Sequence, residues 1–341
     1  MSGFAARRFV GADDVAALAR EVFGPSRRPV TVERVRGGTS KGVYRLSADD
    51  GRSAILYVWS QDEDFWRTPS APSAVGGQGG RVSEPSGLEL FEASRARFEG
   101  LGVRVPRLLL ASRAGEWLPA DAAVVEDLRG GTLEARLLAD PEGAAPMMDR
   151  LAEALRLMST CRAPRPGGVA EIDHGQTGES GDGGSCPGIV LQWALKDLGE
   201  AAGRVGRIAA ERGAFEDALG GLHAAVRPRA GHGLIHGELG PDHVLLDDRD
   251  EPVLIDIEGA SYFDVEWEHV FLKIRFGDHY ERLRVDGLDE RRLRFYRLAH
   301  HLSLVAGPLR LLDGDFPDRD FMTGIATQHT EAALTFLRTV G

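Results

Sequence analysis

The chain has 341 residues, 43% hydrophobic and 27% charged, enough apolar material for a sizeable core, which excludes disorder as a whole-chain state. Its formal net charge of −11 argues against nucleic acid or an anionic membrane as the main partner, since both need a surplus of positive charge. Cys161 and Cys186 lie 25 positions apart with no CxxC, so their spacing supports neither a disulfide framework nor a zinc site.

The N-terminus lacks the apolar run of a signal peptide, and no stretch reaches the length of a membrane span. A reducing cytoplasm is the expected setting. Only three lysines, Lys41, Lys196 and Lys273, stand against 38 arginines, a compositional bias that singles out each lysine for inspection.

Residues 12–23 carry apolar positions at helical spacing after an Asp-rich start that caps a first turn. The period then changes, and 30–59 reads as an antiparallel strand meander whose first turn is Gly37-Gly38-Thr39-Ser40. Residues 68–87 are rich in Gly, Pro and Ser and predict a loop. A helix over 88–101 follows, then a strand-like run broken by Pro106, a second strand at 122–128, and a turn into helix.

From residue 143 helical periods dominate, at 143–160, 189–211 and 213–226, with a second Gly-rich loop at 163–188 between the first two. A compact β-turn-β unit spans 231–260, and 262–280, 288–312 and 319–339 read as helices. The order predicts an α+β protein of two lobes, a β-rich half and a helical half with one inserted hairpin.

The segment HGELGPDH places His236, Glu238, Asp242 and His243 in one polar turn, and the following strand ends in Asp256 and Glu258. Alternate residues of a strand share a face, so these two acids are expected to point into one cleft. Pairing of 244–247 with 253–256 would bring them beside the turn. Carboxylates with an imidazole suit Mg²⁺ or Mn²⁺ better than Zn²⁺, because no thiolate takes part. Taken alone, the commoner explanation is a solvated acidic loop. The run Gly37-Gly38-Thr39-Ser40-Lys41 is likewise either a plain hairpin or a place where backbone amides and one ammonium meet phosphate oxygens.

The succession of glycine turn, helix, VVEDL, HGELGPDHVLLD and VLIDIEGA resembles the aminoglycoside phosphotransferase group of kinase-like enzymes, whose catalytic segment runs HGDxxxxN before an IDF or IDW strand end. The resemblance covers about residues 30–275. It implies a two-lobed protein-kinase-like fold, with a small β-rich N-lobe over 1–124, a hinge at 125–131 and a larger helical C-lobe over 132–341. It also implies ATP or GTP with Mg²⁺ or Mn²⁺ between the lobes, and transfer of the γ-phosphate to a hydroxyl of an antibiotic-like or sugar-like molecule. Such transfer rests on positioning and charge neutralisation more than on covalent chemistry.

By the same resemblance Glu238 falls at the catalytic aspartate, His243 at the metal-binding asparagine (a histidine in macrolide phosphotransferases), and Asp256 at the metal-bridging aspartate. Glu258 is expected as a second metal acid, Gly37, Gly38, Thr39, Ser40 and Lys41 as the phosphate turn, and Glu126 and Leu128 as the hinge that meets the adenine edge.

Three departures stand out. Tyr57 occupies the place of the strand lysine that grips the phosphates, so Lys41 is expected to substitute for it from the glycine turn. Glu238 is one methylene longer than aspartate, and Glu268 stands for a structural aspartate. The helix glutamate that pairs with the phosphate lysine is either Glu89 or Glu92. The alternative function is a pseudokinase that binds a nucleotide or ligand without transfer.

Overall fold

The computed structural model describes residues 7–25, 29–35, 37–66, 86–173, 175 and 184–340. The loop expected at 68–87 lies almost wholly outside these residues, as do His174, Glu179 and Asp182 of the second Gly-rich segment.

The N-terminal lobe has helix α1 (Ala12–Phe23), strands β1 (Pro29–Arg34), β2 (Gly42–Ala48) and β3 (Ser53–Trp59), helix α2 (Leu88–Gly100), and strands β4 (Leu108–Ser112) and β5 (Asp121–Glu126). The strands form one antiparallel sheet in the order β1-β2-β3-β5-β4. Period-two alternation divides its faces. Tyr44, Leu46, Ala54, Leu56, Val58, Ala122 and Val124 pack with Val15, Leu18, Ala19 and Phe23 of α1. Tyr57, Ala123 and Val125 point the other way, with Phe91 and Phe98 of α2 and the half-buried Val43 and Ile55. That second face looks onto the C-terminal lobe.

The chain leaves the sheet at Glu126 and enters helix α3 (Leu133–Ala139), capped by the Thr132 side chain, which accepts from Ala135 N at 3.1 Å. Helix α4 (Ala145–Thr160), strands β6 (Arg162–Ala163) and β7 (Gly167–Gly168) and helix α5 (Val169–Asp173) follow. Helices α6 (Cys186–Ala202), α7 (Gly206–Ala210) and α8 (Arg212–Ala224) replace the expected 189–211 and 213–226. The first begins early because the Ser185 side chain accepts from Gly188 N and Pro187 sits in the first turn, where its missing N–H costs nothing.

Strand β8 (His232–Ile235) precedes the hairpin of β9 (Val244–Leu246) and β10 (Pro252–Leu254), which pair antiparallel as expected. Strand β11 (Ser261–Phe263), then α9 (Val265–Phe276), α10 (Glu290–Asp313) and α11 (Arg319–Leu337) complete the lobe. Two expectations need correction here. Residues 261–263 do not open a helix; they pair with β8 and β7 in a second sheet, ordered β6-β8-β11-β7, so the helical half carries more than one hairpin. Strands of two to four residues are set by tertiary partners and leave no local period to read.

A strap ties the lobes beyond the hinge. Phe65 stacks edge-on against Phe316 with ring centroids 5.4 Å apart, and its N–H donates to Thr39 O at 2.8 Å. Arg7 grips both Asp315 oxygens at 2.7 Å and donates to the carbonyls of Asp62 and Asp64. Among the described residues, no helix is long and apolar enough to cross a membrane.

Candidate active site

The polar turn after β8 is held from three sides. His236 is buried, and burial depresses its pKa to about 4, so the ring is neutral at ordinary pH. A carbonyl only accepts, so His236 Nε2–H donates to Ile255 O (2.9 Å), leaving Nδ1 to accept from Glu238 N (3.4 Å). Glu268, on α9, accepts from Gly237 N (2.7 Å) and Leu239 N (3.2 Å). Burial raises its pKa although both amides favour the anion. Glu238 thus stands on a turn whose amides on either side are fixed by one buried carboxylate.

His243 closes a single 3₁₀ turn, Pro241–His243. Its Nδ1 lies 2.7 Å from Glu238 O, so Nδ1–H donates to that carbonyl and, in the neutral ring, the lone pair is on Nε2. That Nε2 is 3.8 Å from Asp256 Oδ2.

Asp256 and Glu258 do converge, but not by strand alternation. β10 ends at Leu254, Asp256 adopts the left-handed conformation at φ 60° and ψ 45°, and Glu258 belongs to the 3₁₀ turn Ile257–Gly259. A non-glycine residue held there costs on the order of 1–3 kcal/mol, a strain that clusters at functional sites. Lys41 is the point of convergence. Its Nζ lies 2.5 Å from Asp256 Oδ1 and 2.5 Å from Glu258 Oε1, and the residue is only 5% exposed. Burial alone would depress the lysine pKa, but the two carboxylates outweigh it and hold the ammonium charged. The same charge holds Asp256 well below the usual carboxylate range, whereas burial raises Glu258.

Lys41 Nζ is also 5.1 Å from the centroid of the Tyr57 ring. Tyr57 is on the cleft-side face of β3, so the ammonium lies beside the strand position that Tyr57 fills. The glycine turn permits this by folding back tightly: a Cβ on Gly38 would lie 2.3 Å from Lys41 O, and Gly37 has φ 118°. Trp66 Nε1 donates to Thr39 Oγ1 at 3.1 Å, so the strap also covers the turn; Ser40 is half-buried beside it.

The other expected residues are placed as follows. Glu258 is turned onto Lys41, and its side chain is 5% exposed against 42% for Asp256 and 26% for His243. Both acids are ion-paired with Lys41, and the more exposed side chains of the expected metal set are those of Asp256 and His243. Of these donors the carboxylate oxygen is the one that suits a hard divalent ion, with the imidazole nitrogen beside it. Glu126, at the end of β5, accepts from Arg104 (2.5 Å) and from Arg107 N (2.7 Å), and its own N–H donates to Arg107 O (3.0 Å), so its side chain and N–H serve the hinge's outer edge. Leu128 is half-buried there. Glu92 pairs with Arg113 at 2.6 Å and Glu89 is exposed, whereas the glutamate that meets Lys41 is Glu258. The strap escaped sequence reasoning, although the aromatic pair Phe65-Trp66 after an acidic run was its visible signal.

The sequence profile described as the phosphotransferase enzyme family matches residues 31–305. Among solved structures, spectinomycin phosphotransferase APH(9)-Ia, in complex with ADP and spectinomycin, superposes with a TM-score of 0.63 at 12% identity, over 96% of this chain and 99% of its own. Aminoglycoside phosphotransferase APH(4)-Ia gives 0.59 at 17% identity, over 97% and 99% of the two chains. The putative fructosamine-3-kinase from Thermobifida fusca gives 0.53 at 19% identity, over 95% and 100%. No curated protein sequence matches the chain. At these identities the structural likeness establishes the two-lobed kinase-like fold, a β-rich N-terminal lobe on a helical C-terminal one.

Proposed function

The chain belongs to the phosphotransferase enzyme family, and we propose that it moves the γ-phosphate of ATP to a hydroxyl of a small antibiotic-like or sugar-like molecule. The observation that carries this reading is the buried Lys41 ammonium set between Asp256 and Glu258 beneath the glycine turn. It restores a phosphate-binding cation to a site whose strand position holds Tyr57.

Each group then has a role. Lys41 and the amides of Gly37, Gly38, Thr39 and Ser40 bind phosphate oxygens, and the backbone of Glu126 and Leu128 meets the base. Glu258 holds Lys41 in place and charged. His243 and Asp256 would hold Mg²⁺, which supplies charge neutralisation to the phosphates when bound. Glu238 orients the acceptor hydroxyl and takes its proton, on a turn that Glu268 keeps rigid. The longer side chain of Glu238 is matched by a site in which Glu258 and Glu268 are glutamates too. Solved structures of this fold contain hygromycin B or spectinomycin beside a nucleotide, which supports a hydroxylated small molecule as acceptor.

The test is nucleotide consumption with Mg²⁺ across a panel of aminoglycosides, macrolides, nucleosides and sugars, with product mass as readout, using ATP and GTP in parallel. A mass gain of one phosphoryl group that disappears in Glu238→Gln, with nucleotide affinity retained, is the expected result. Nucleotide binding without transfer to any acceptor would shift the reading to a pseudokinase.

A further inference from the structure

Behind the catalytic turn, three side chains from three separate elements aim at one point. They are Cys186 in the first turn of α6, His232 at the start of β8 and Asp264, the residue that precedes α9. All three are buried, and one ligand atom from each lies within 4.8 Å of the other two. Cys186 Sγ is 3.2 Å from His232 Nδ1, and Asp264 Oδ1 is 3.5 Å from the same nitrogen.

Because sulfur and carboxylate face one ring nitrogen, this is no nucleophile–base–orienter relay, which needs its two partners on opposite nitrogens. Nor is it a hydrogen-bond network that satisfies itself. Asp264 Oδ1 is fully buried without a close hydrogen bond, with His232 Nδ1 at 3.5 Å and Arg229 Nη1 at 3.8 Å beside it, while Oδ2 is taken by Arg292 and by the Tyr296 hydroxyl at 2.5 Å. A buried carboxylate oxygen whose nearby donors stand this far off is costly to leave so, and it can take a ligand.

We propose that Cys186, His232 and Asp264 form a zinc site. Zinc bonds of about 2.3 Å to sulfur and 2.0–2.2 Å to nitrogen and oxygen put tetrahedral ligand atoms about 3.3–3.6 Å apart. The separations from His232 Nδ1, 3.2 Å to sulfur and 3.5 Å to oxygen, lie within a few tenths of an ångström of that spacing. A soft thiolate with an imidazole selects zinc over magnesium. Binding exchanges the thiol proton for the metal, so one proton leaves as the Zn–S bond forms.

The surrounding charge is compatible. Arg292 is matched by Asp264, and both end nitrogens of Arg229 are held by Glu266 at 2.7 and 2.6 Å, Nη1 also standing 3.8 Å from Asp264 Oδ1. A cavity of about 300 Å³, lined by all three ligands, gives the ion an entry and room for a water as fourth ligand. The site's place is structural. His232 begins the strand that leads to the polar turn, and Asp264 precedes the helix carrying Glu268, so one ion cross-links both supports of Glu238.

Cobalt(II), titrated into the metal-stripped full-length chain, is the probe, because thiolate ligation gives an intense near-ultraviolet charge-transfer band that carboxylate sites lack. The expected result is a band saturating at one cobalt per chain, displaced by zinc but not by excess Mg²⁺. It is absent in Cys186→Ser and intact in Cys161→Ser, whose sulfur instead neighbours the Tyr262 hydroxyl. His232→Ala is expected to weaken cobalt binding at least about tenfold. A second measurement needs no variant: zinc slows thiol-reagent modification of Cys186 in the native chain, read by peptide mass. No band, a band that survives Cys186→Ser, or modification unaffected by zinc would each overturn the site, whatever the outcome of the phosphotransfer assays.

Discussion

Lys41 carries the most at the residue scale. Removing it as Lys41→Met leaves Glu258 buried without its cation, and broken buried pairs of this sort cost about 3–5 kcal/mol. Part of that loss should return in Lys41→Met with Glu258→Gln, because the neutral amide needs no counter-charge; urea midpoints of the two variants check it. On the proposed function, turnover should fall on the order of 10²–10³-fold in both, since the preorganised cation for the nucleotide phosphates is gone. The Tyr57 ring adjoins Lys41 Nζ, so adding Tyr57→Lys to Lys41→Met supplies an ammonium to the same place from β3. Partial recovery of nucleotide affinity in that pair is expected. If nucleotide affinity and turnover are both untouched by Lys41→Met, the relocated lysine is not the phosphate grip.

At the scale of elements, α9 does for the polar turn what α2 does not do for Lys41. One buried carboxylate, Glu268, accepts from two amides that bracket Glu238. Glu268→Gln keeps the length but offers a single acceptor oxygen, so one amide loses a charge-assisted bond of about 1.5–3 kcal/mol. The expected signature is kcat lowered about tenfold or more with the nucleotide Kd unchanged, because the phosphate turn lies in the other lobe. A change confined to Kd would place Glu268 in nucleotide binding instead.

Elements of this kind were unevenly legible. Polar clusters at fixed spacing, such as His236 to His243 and Asp256 to Glu258, show in the sequence because turn chemistry is local. The route by which Asp256 and Glu258 meet Lys41 does not. It depends on a left-handed residue and a 3₁₀ turn that mimic, over two positions, the alternation of a strand. Strand β11 and the strap were hidden for a related reason: the first is set by β8 and β7, and the second meets Asp315 and Phe316 of the other lobe, far along the chain. The same holds for Cys186, His232 and Asp264, whose separation along the chain gives no metal spacing to read.

At the scale of the whole molecule, buried histidines tie stability to pH. Burial depresses His236, His269 and His329 to about 4 and His301 to about 3, all from an ordinary 6.5. Arg297 adds to the effect at His301 and Arg275 at His329, and the two imidazoles meet Nδ1 to Nδ1 at 3.0 Å between α10 and α11. Each group is neutral in the folded chain and protonated sooner in the unfolded one. The unfolded state therefore binds more protons between about pH 6.5 and 4, and stability falls as pH falls through that window. Full separation of the two states is worth about 1.4 kcal/mol per pH unit for each histidine, less for the pair that shares a contact. Asp127 and Asp264, held below the usual range, lose their contributions lower still and steepen the decline in the same direction. His269 isolates one share of this dependence. Its Nδ1 meets the Tyr280 hydroxyl at 3.2 Å, and its Nε2 is buried without a partner. His269→Asn keeps a polar group near Nδ1 and removes the titration, so urea unfolding between pH 7 and 5 should show a slope flatter by up to about 1.4 kcal/mol per pH unit. An unchanged slope would mean that the imidazole charges in place and that the cavity around Nε2 admits water.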